Sequence, residues 1–513
     1  MPFEYQGTKT RRFPANSPRK SNPPRQGNSF ADAVRAAIVD EKVLTTNGMT
    51  ARKTTGDAVL DFFTKAGASR GKLLTDSFSA ALAEDETLAI RALLWTRDIT
   101  EGAGERKQFR DMLQVLERHN AYTAGQIMTR IPELGRWDDL FSYRDPVNAR
   151  RAVELFANAL RAGNGLAFKW APREKSARRS EARVLMQALG MTPGNYRRFL
   201  SRGTSVVESQ MASKEWEAIN FSHVPSVASS RYQKAFGRNA GEAYSAYLQE
   251  LKKPQAQRDP RVKINAAAIH PYEIVKAVRT GVASAADAQW DALPDFMNGT
   301  SVLPMIDTSG SMRGGNPSAI DVALSLGLYV SERNKSAFKD MFLNFSGVSD
   351  FQTTKGTLTQ RLRQVDTDKW HMNTNIGGAF ANILNVATHN NVPAEDMPEV
   401  LLILSDMQFD NANRSIDYSA NRSPRYGSFK PWNPSAVELA TRMYHRAGYE
   451  LPKLVFWNIR GDANSPVRFD ELGTAMISGY SPAIMKSVLS NDLEHFTPYS
   501  VMRKTLDNVR YDF

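Results

Sequence analysis

The apolar and polar positions of this chain follow two different spacings, and the spacing changes near residue 295. From about residue 29 to 290, apolar residues recur three and four positions apart, for example in 58–63, 88–95, 109–116 and 153–160. This spacing is typical of amphipathic helices, and Gly and Pro occupy the short separators between them. We therefore predict an all-α domain over 29–290, a solenoid of successive antiparallel helix pairs.

Beyond residue 295, short apolar runs alternate with helical segments. The predicted strands are 301–306, 341–345, 399–405, 454–459 and 474–478, and the predicted helices are 319–331, 376–388 and 436–447. Such alternation predicts a doubly wound parallel sheet. The expected fold class is multidomain α and α/β, with a HEAT-like helical-repeat domain followed by a sheet domain over 296–513 that ends in a helical extension.

Composition narrows the partners and the compartment. Residues 1–28 are basic and rich in proline, which predicts a disordered arm. A net charge of +12 and a pI near 9.6 favour an anionic partner, nucleic acid first, although a merely soluble basic protein stays open. The chain has no cysteine, no apolar run of about eighteen residues and no signal-peptide core. We expect a cytoplasmic protein without disulfides or a membrane partner.

Oxygen-bearing side chains stand where two predicted strands end. Asp307, Ser309 and Ser311 follow the first strand, Asp406 follows the strand 399–405, and Thr374 precedes a helix. Ligands of doubly wound sheets collect at the carboxyl edge of the strands, and Mg²⁺ prefers oxygen ligands. These residues therefore predict one site for Mg²⁺ or another divalent cation. For Ser309 or Ser311 alone, a helix cap or a turn is the simpler interpretation.

The segment from about 296 to 480 resembles a von Willebrand factor A domain. Asp307, Ser309 and Ser311 match its metal-adhesion motif (MIDAS), and Thr374 and Asp406 match the motif's later threonine and aspartate. The resemblance implies that the two serines and the threonine contact the metal directly. It implies that the aspartates hold the metal's waters or bind it, and that one position stays open for an acidic ligand group.

Further motifs are similar to those of a little-characterised family that joins a helical domain to a metal-site domain. They lie at 95–99, 104–106, 135–140, 169–175, 405–410 and 478–482. The same architecture is similar to the Ro-type RNA-binding proteins, whose TROVE domain is a helical-repeat ring closed by an A domain. That similarity implies a ribonucleoprotein role and a ring whose inner rim holds RNA.

Residues 161–240 contain fourteen basic and five acidic residues. Basic side chains neutralise phosphates, so we predict an RNA-binding surface here. Its candidate residues are Lys169, Arg173, Lys175, Arg178, Arg179, Arg183, Arg197, Arg198 and Arg202. Trp170 and Phe199 either stack on bases or, as we favour, lie in the core. The arginines of the motifs 95–99, 104–106 and 135–140 stand beside acidic residues, which predicts internal ion pairs.

Signatures of catalysis are absent from the sequence. It contains no GxxxxGK[ST] loop, no HExxH and no evident histidine partner for Ser309, so we expect no enzyme. The leading hypothesis is a non-catalytic protein that binds single-stranded or structured small RNA and carries a Mg²⁺-dependent adhesion site. The alternative is an adaptor that captures an acidic side chain of a protein partner at the metal. A metal-dependent nuclease is disfavoured because the sequence shows one cation site.

Overall fold

The apolar spacing of the first half of the chain forms a succession of helices joined by short turns. The computed structural model describes residues 42–513 except 71, 205, 254, 267, 282–283, 367–369, 412–432, 462–463 and 490–495, so the predicted arm 1–28 lies outside the described residues. The helices of this region are α1 (Ala58–Ala66), α2 (Thr75–Glu84), α3 (Glu86–Arg97), α4 (Lys107–His119), α5 (Ala121–Gln126), α6 (Arg130–Leu134), α7 (Pro146–Arg161), α8 (Gly165–Trp170), α9 (Arg179–Leu189), α10 (Pro193–Gly203), α11 (Val207–Ala212), α12 (Ser226–Asn239), α13 (Gly241–Lys252), α14 (Pro271–Arg279) and α15 (Ala286–Asp291).

Polar residues at the helix starts explain these boundaries. Asp57 and Asp85 accept hydrogen bonds from the first-turn amides of α1 and α3, and Asp145 does so for α7, where Pro146 takes the first helical position. Each cap satisfies an amide that has no partner within its own helix. Helices adjacent in sequence pack together, as α1 does with α2 and α12 with α13. The predicted N-terminal helical region is confirmed.

The prediction of an all-α domain from residue 29 is wrong at one segment. Strands β1 (Lys42–Leu44) and β2 (Thr50–Arg52) form an antiparallel hairpin ahead of α1. Residues 45–48 make its turn, which the Gly48 amide closes by donating to the Thr45 carbonyl at 3.0 Å, and Gly48 has a φ of 93°, which glycine adopts without steric cost. An Asn-Gly pair between apolar runs indicates a hairpin. This segment is too short for the spacing of its apolar residues to be distinguished from that of a helix.

A six-stranded, mostly parallel sheet follows. Its strands are β3 (Val302–Asp307), β4 (Met341–Phe345), β5 (Ser349–Thr353), β6 (Val400–Ser405), β7 (Lys453–Asn458) and β8 (Thr474–Ser478). They lie in the order β5-β4-β3-β6-β7-β8, with β5 antiparallel to β4. All five predicted strands are confirmed. The sequence did not indicate β5, an edge strand whose residues are mostly polar and of which only one is buried.

Helices cover both faces of this sheet. They are α16 (Ala319–Arg333), α17 (Leu358–Gln364), α18 (Ile376–His389), α19 (Ala436–Ala447), α20 (Met485–Leu489) and α21 (Pro498–Leu506). Val302 and Ile306 of β3 belong to a core shared with α16 and the helical region, whereas Leu303 and Met305 belong to a core shared with α18 and α19. Alternate residues of β3 thus face opposite layers, as expected of a strand buried on both sides.

The helical region and the sheet region join along β8 and the C-terminus, and the described residues pack as one compact unit. The Ser478 hydroxyl at the end of β8 donates to the Phe63 carbonyl of α1 at 3.2 Å and accepts from the Gly67 amide at 3.1 Å. A Cβ at Gly67 would lie 2.4 Å from the Ser478 hydroxyl, so this contact requires glycine. Within the described residues, no helix has the length and apolarity needed to cross a bilayer.

Candidate metal centre

Strands β3 and β6 bring the two predicted aspartates to one edge of the sheet. These strands are parallel neighbours, and Ile306 pairs with Leu404, so Asp307 and Asp406 follow at adjacent strand ends. In chain order the six strands of the sheet lie as 3-2-1-4-5-6, and the pair β3–β6 is where that order reverses. Open α/β sheets bind their ligands at this switch point.

The Asp307 carboxylate is fully buried and held by two donors. One oxygen accepts from the Ser309 amide at 2.9 Å, and the other accepts from the Ser405 hydroxyl at 2.5 Å. Burial and the neighbouring Asp406 carboxylate raise the pKa of Asp307 to about 7. Two carboxylates this close disfavour each other's ionisation, and a bound cation would relieve that repulsion.

The loop after β3 places two hydroxyl groups beside Asp307. The Ser309 and Ser311 hydroxyl oxygens lie 3.1 Å apart, and Ser309 is fully buried. The intervening Gly310 donates its amide to the Met372 carbonyl at 3.4 Å, and a Cβ on Gly310 would lie 2.5 Å from the Met372 side chain. Glycine therefore lets this loop approach the segment that carries Thr374.

Thr374 is fully buried at the start of α18 and bonded to the loop that follows β6. Its amide donates to the Asp410 carboxylate at 2.9 Å, and the Asp410 amide donates to the Thr374 carbonyl at 2.9 Å. Asn375 then caps α18 by accepting from the Gly378 amide at 2.7 Å. The five predicted residues thus gather at one edge, with Thr374 joined to the others through Met372 and Asp410.

Arg460 is a charged neighbour of the site that sequence reasoning missed. Its Nη1 donates to the Ser311 carbonyl at 3.0 Å and lies 3.8 Å from Asp406 Oδ2. The residue follows β7, the strand beside β6, so its place at a strand end was the available signal. The guanidinium partly balances the negative charge of Asp406.

The backbone between the end of β6 and Asp410 is held in an uncommon conformation. Met407 has a φ of 63° although it carries a side chain, and it is buried. Its amide donates to the Ser405 hydroxyl at 3.0 Å, the same hydroxyl that donates to Asp307. Left-handed backbone at a bulky residue costs free energy and concentrates at functional sites. Here the strained residue directly follows Asp406, and its amide is bonded to the hydroxyl that holds Asp307.

The donor atoms fit a hard divalent cation. Two carboxylates and three hydroxyl groups offer only oxygen, as Mg²⁺ prefers. Within the described ranges, no three His, Cys, Asp or Glu side chains form a metal-binding cluster, so hydroxyl oxygens would have to complete the coordination at this edge.

Of the arginines in the motifs 95–99, 104–106 and 135–140, only Arg97 forms the predicted internal ion pair with a described carboxylate, and it does so within a network that also contains Arg110 and Arg178. Arg97 Nε donates to Asp139 Oδ2 at 2.7 Å, and both side chains are almost fully buried. Arg110 pairs with Asp139 at 2.7 Å and with Asp138 at 3.0 Å. Arg178 also pairs with Asp138, at 2.7 Å. This predicted RNA-binding residue therefore sits in a structural network.

The other predicted RNA-binding residues are more accessible. Lys169 is half-buried, whereas seven are exposed: Arg173, Lys175, Arg179, Arg183, Arg197, Arg198 and Arg202. Arg197 pairs with Glu174. The remaining six, which we term the exposed basic set, form no ion pair with a described carboxylate, and Arg173 instead donates to the Thr204 hydroxyl at 3.0 Å.

Phe199 and Trp170, the aromatic residues considered for base stacking, are half-buried and packed against other side chains. Phe199 lies 5.0 Å from Phe168 between ring centroids, against the main core. Trp170 is half-buried, with the Arg136 guanidinium 4.1 Å above its ring. The core interpretation is confirmed for Phe199, and the face of Trp170 is occupied by a cation.

Comparison with known proteins adds family relationships. Residues 301–508 match the model of a domain of unknown function, DUF7788, and residues 163–301 match that of another domain of unknown function, DUF2828. The two matches meet at residue 301, immediately before β3. A relative described as "Uncharacterized protein L728", from Acanthamoeba polyphaga mimivirus, is 27% identical over 525 residues, 90% of this chain and 87% of the viral protein. These similarities support the expected relationship to a little-characterised family.

Proposed function

We propose that this protein is a non-catalytic binding protein whose sheet region is a von Willebrand factor A-like domain with a Mg²⁺-dependent adhesion site. The single observation that carries the proposal is the convergence of Asp307, Ser309, Ser311 and Asp406 at the switch point of the sheet. The 3-2-1-4-5-6 strand order supports the fold assignment, because doubly wound sheets use this order and bind ligands at that point.

The five candidate ligands would contribute to ion binding in two ways. Ser309, Ser311 and Thr374 offer neutral oxygens, while Asp307 and Asp406 offer negative charge from a buried position. Bound Mg²⁺ would supply a positive charge with an open coordination position. An acidic side chain of a protein partner, or of this chain, would bind there, because a carboxylate is the anionic oxygen ligand that proteins offer to hard cations.

Titration of the full-length protein with Mn²⁺, a paramagnetic substitute for Mg²⁺, tests the metal site. Electron paramagnetic resonance should detect about one bound ion per chain, displaced by excess Mg²⁺. Asp307→Asn should lose this binding, because it removes a charge that the oxygen ligands cannot replace. Asp396→Asn is the matched control, since Asp396 is exposed and precedes β6 at the opposite end of the strand. Equal Mn²⁺ binding by both variants would contradict the proposal.

We propose RNA binding by the helical region as a second function, on the strength of the exposed basic set. Those six side chains lie within residues 173–202 and pair with no described carboxylate, so their charge remains available to phosphates. The helix succession supports a HEAT-like scaffold similar to that of TROVE proteins. In this proposal the scaffold holds single-stranded or structured small RNA, and the A-like domain closes or gates it.

Salt dependence of RNA binding tests this second function. The purified protein should carry nucleic acid, visible in its ratio of absorbance at 260 and 280 nm. The double variant Arg183→Glu with Arg198→Glu should weaken binding and reduce the log–log salt slope by roughly 0.7 per lost phosphate contact. Arg150→Glu is the control, because Arg150 is 84% exposed on α7, outside this set. An identical slope for all three proteins would contradict the proposal, and degradation of RNA in Mg²⁺ would favour the nuclease.

A further inference from the structure

The β1–β2 hairpin places an amide side chain on the candidate metal centre from the far end of the chain. Asn47 Nδ2 lies 2.6 Å from the Gln408 carbonyl, to which it donates, and 3.4 Å from the Thr374 hydroxyl oxygen. Gln408 is two residues beyond Asp406. The Asn47 amide therefore bridges the loop that carries the second aspartate and the predicted threonine ligand.

Several polar contacts hold the hairpin turn in this position. The Thr45 hydroxyl donates to the Phe409 carbonyl at 2.6 Å, and the Thr46 amide donates to the Gln408 side-chain oxygen at 2.8 Å. The Asn411 amide donates to the Asn47 carbonyl at 3.1 Å. All three contacts fall on the segment that follows Asp406. The turn thus contacts the edge of the sheet that carries the candidate metal ligands, which we term the ion edge.

The contact of Asn47 with Thr374 affects the access of an external ligand to the ion, because the candidate metal ligands are buried. Thr374 and Ser309 are fully buried and Asp406 is 2% exposed, yet these are the groups that an external ligand of the ion must approach. Thr46 is exposed and Asn47 is half-buried while it contacts Thr374, so the hairpin turn joins solvent to a buried candidate ligand. Met49 packs in the core, so the polar turn is the part of the hairpin that contacts the candidate ligands and their loop.

We infer that Asn47 is a positioning residue of the metal centre and that its side chain covers the place where an external carboxylate would bind the ion. This inference rests on the proposed metal-dependent adhesion site. Asparagine has nearly the shape of aspartate, so the Asn47 amide occupies the space of an acidic side chain without its charge. The bond to Thr374 also orients the threonine hydroxyl, leaving one of its two lone pairs for the metal.

Two substitutions at Asn47 should act in opposite directions. Asn47→Ala removes the cover, so the affinity of the Mn²⁺-loaded protein for N-acetyl-aspartate amide should rise about fivefold, the equivalent of one neutral hydrogen bond. Water-proton relaxation by bound Mn²⁺ should rise as well, because more exchangeable water reaches the ion. Asn47→Asp keeps the shape of the side chain, but its carboxylate cannot donate to the Gln408 carbonyl and would turn to the ion instead, so the probe should no longer bind.

Asn464→Ala is the matched control. Asn464 donates to the Leu44 carbonyl at 3.3 Å, so it also ties the hairpin to the sheet region, but through a contact that involves none of the candidate ligands. This variant should behave as the unaltered protein in both measurements, and circular dichroism should show all variants folded.

The outcomes separate the two proposals. If the unaltered protein binds Mn²⁺ but both Asn47 variants match it in probe affinity and water relaxation, the cover is refuted while the metal site stands. If the unaltered protein binds no Mn²⁺, the metal site and the cover fail together. If Asn464→Ala changes probe binding as much as Asn47→Ala does, general loosening of the hairpin explains the effect, and the specific role of Asn47 is refuted.

Discussion

The buried ion pair between Arg97 and Asp139 gives the sharpest stability prediction. Asp139 is fully buried and accepts hydrogen bonds from Arg97 Nε at 2.7 Å, Arg110 Nε at 2.7 Å and the Arg136 amide at 3.0 Å. Asp139→Asn keeps the shape of the side chain but removes its charge. The Arg97 guanidinium, only 1% exposed, would then remain charged without a countercharge at the same distance.

The expected loss of stability depends on which hydrogen-bond partners of Asp139 can find another partner or water. Breaking a buried pair by removing one partner costs about 3–5 kcal/mol. Arg110 is 27% exposed at its side chain and can turn towards Asp138, so its loss is partly recovered. Arg97 cannot turn towards water or another carboxylate, because it is 1% exposed and Gly135 lies so close that a Cβ there would be 2.6 Å from the Arg97 Nε. We expect Asp139→Asn to lower the free energy of unfolding by about 3 kcal/mol.

Urea unfolding measures the loss of stability, and native-state hydrogen exchange shows where in the structure it occurs. Exchange should accelerate in α3, α4 and the turn that carries Asp139, because these segments share the network. Glu154→Gln is the control: its partner Arg150 is 84% exposed, and such surface pairs contribute about 0–1 kcal/mol. A loss below about 1 kcal/mol for Asp139→Asn, equal to that of the control, would refute the assignment of the pair as a buried structural lock.

Three further predictions rest on single observations. Gly135→Ala should lower the unfolding free energy in urea by about 1–3 kcal/mol, because its Cβ would overlap the Arg97 guanidinium, whereas alanine at Gly163, with open space around it, is limited to the strain of its φ of 79°. Burial, with a smaller contribution from Arg70, lowers the pKa of His270 to about 3, so between pH 6.5 and 3 only the unfolded chain binds this proton. The free energy of unfolding should therefore decrease as the pH is lowered through this range, by at most about 1.4 kcal/mol per pH unit, and by less because His270 is half-buried. His270→Gln should flatten this pH dependence in urea unfolding. Mg²⁺ at a hundredfold excess over its Kd should stabilise the protein by about 2.7 kcal/mol in thermal unfolding, EDTA should remove the effect, and Asp307→Asn should not show it.

The ion edge was predictable because its signals are local. Asp307 and Asp406 each terminate an apolar run, and a strand-terminal position is legible without knowing which strands pair. The structure adds that β3 and β6 are neighbours, which brings the two carboxylates together and raises the pKa of Asp307. The strand bounds were predictable for the same reason, since buried parallel strands read as continuous apolar runs.

The partners of the ion edge were not predictable because they depend on register and on distant segments. Ser405 donates to Asp307 only because β6 lies beside β3 in this register, and Arg460 reaches Asp406 only because β7 follows β6. Asn47 is 327 residues from Thr374 in the chain, yet its amide contacts the threonine hydroxyl. No periodicity links such positions, since the contact arises from the packing of the whole fold.

The same long-range packing decides where function resides in this chain. The N-terminal hairpin reaches the ion edge of the sheet region, and residues after α21 return to the helical region, where Arg510 and the Tyr511 hydroxyl bind Asp98 at the end of α3. Each region therefore supplies part of the other's surface. Because Asn47 enters the candidate metal centre from outside the 301–508 segment, that segment alone lacks the proposed cover. The proposed adhesion site and access to it would thus depend on the joined chain.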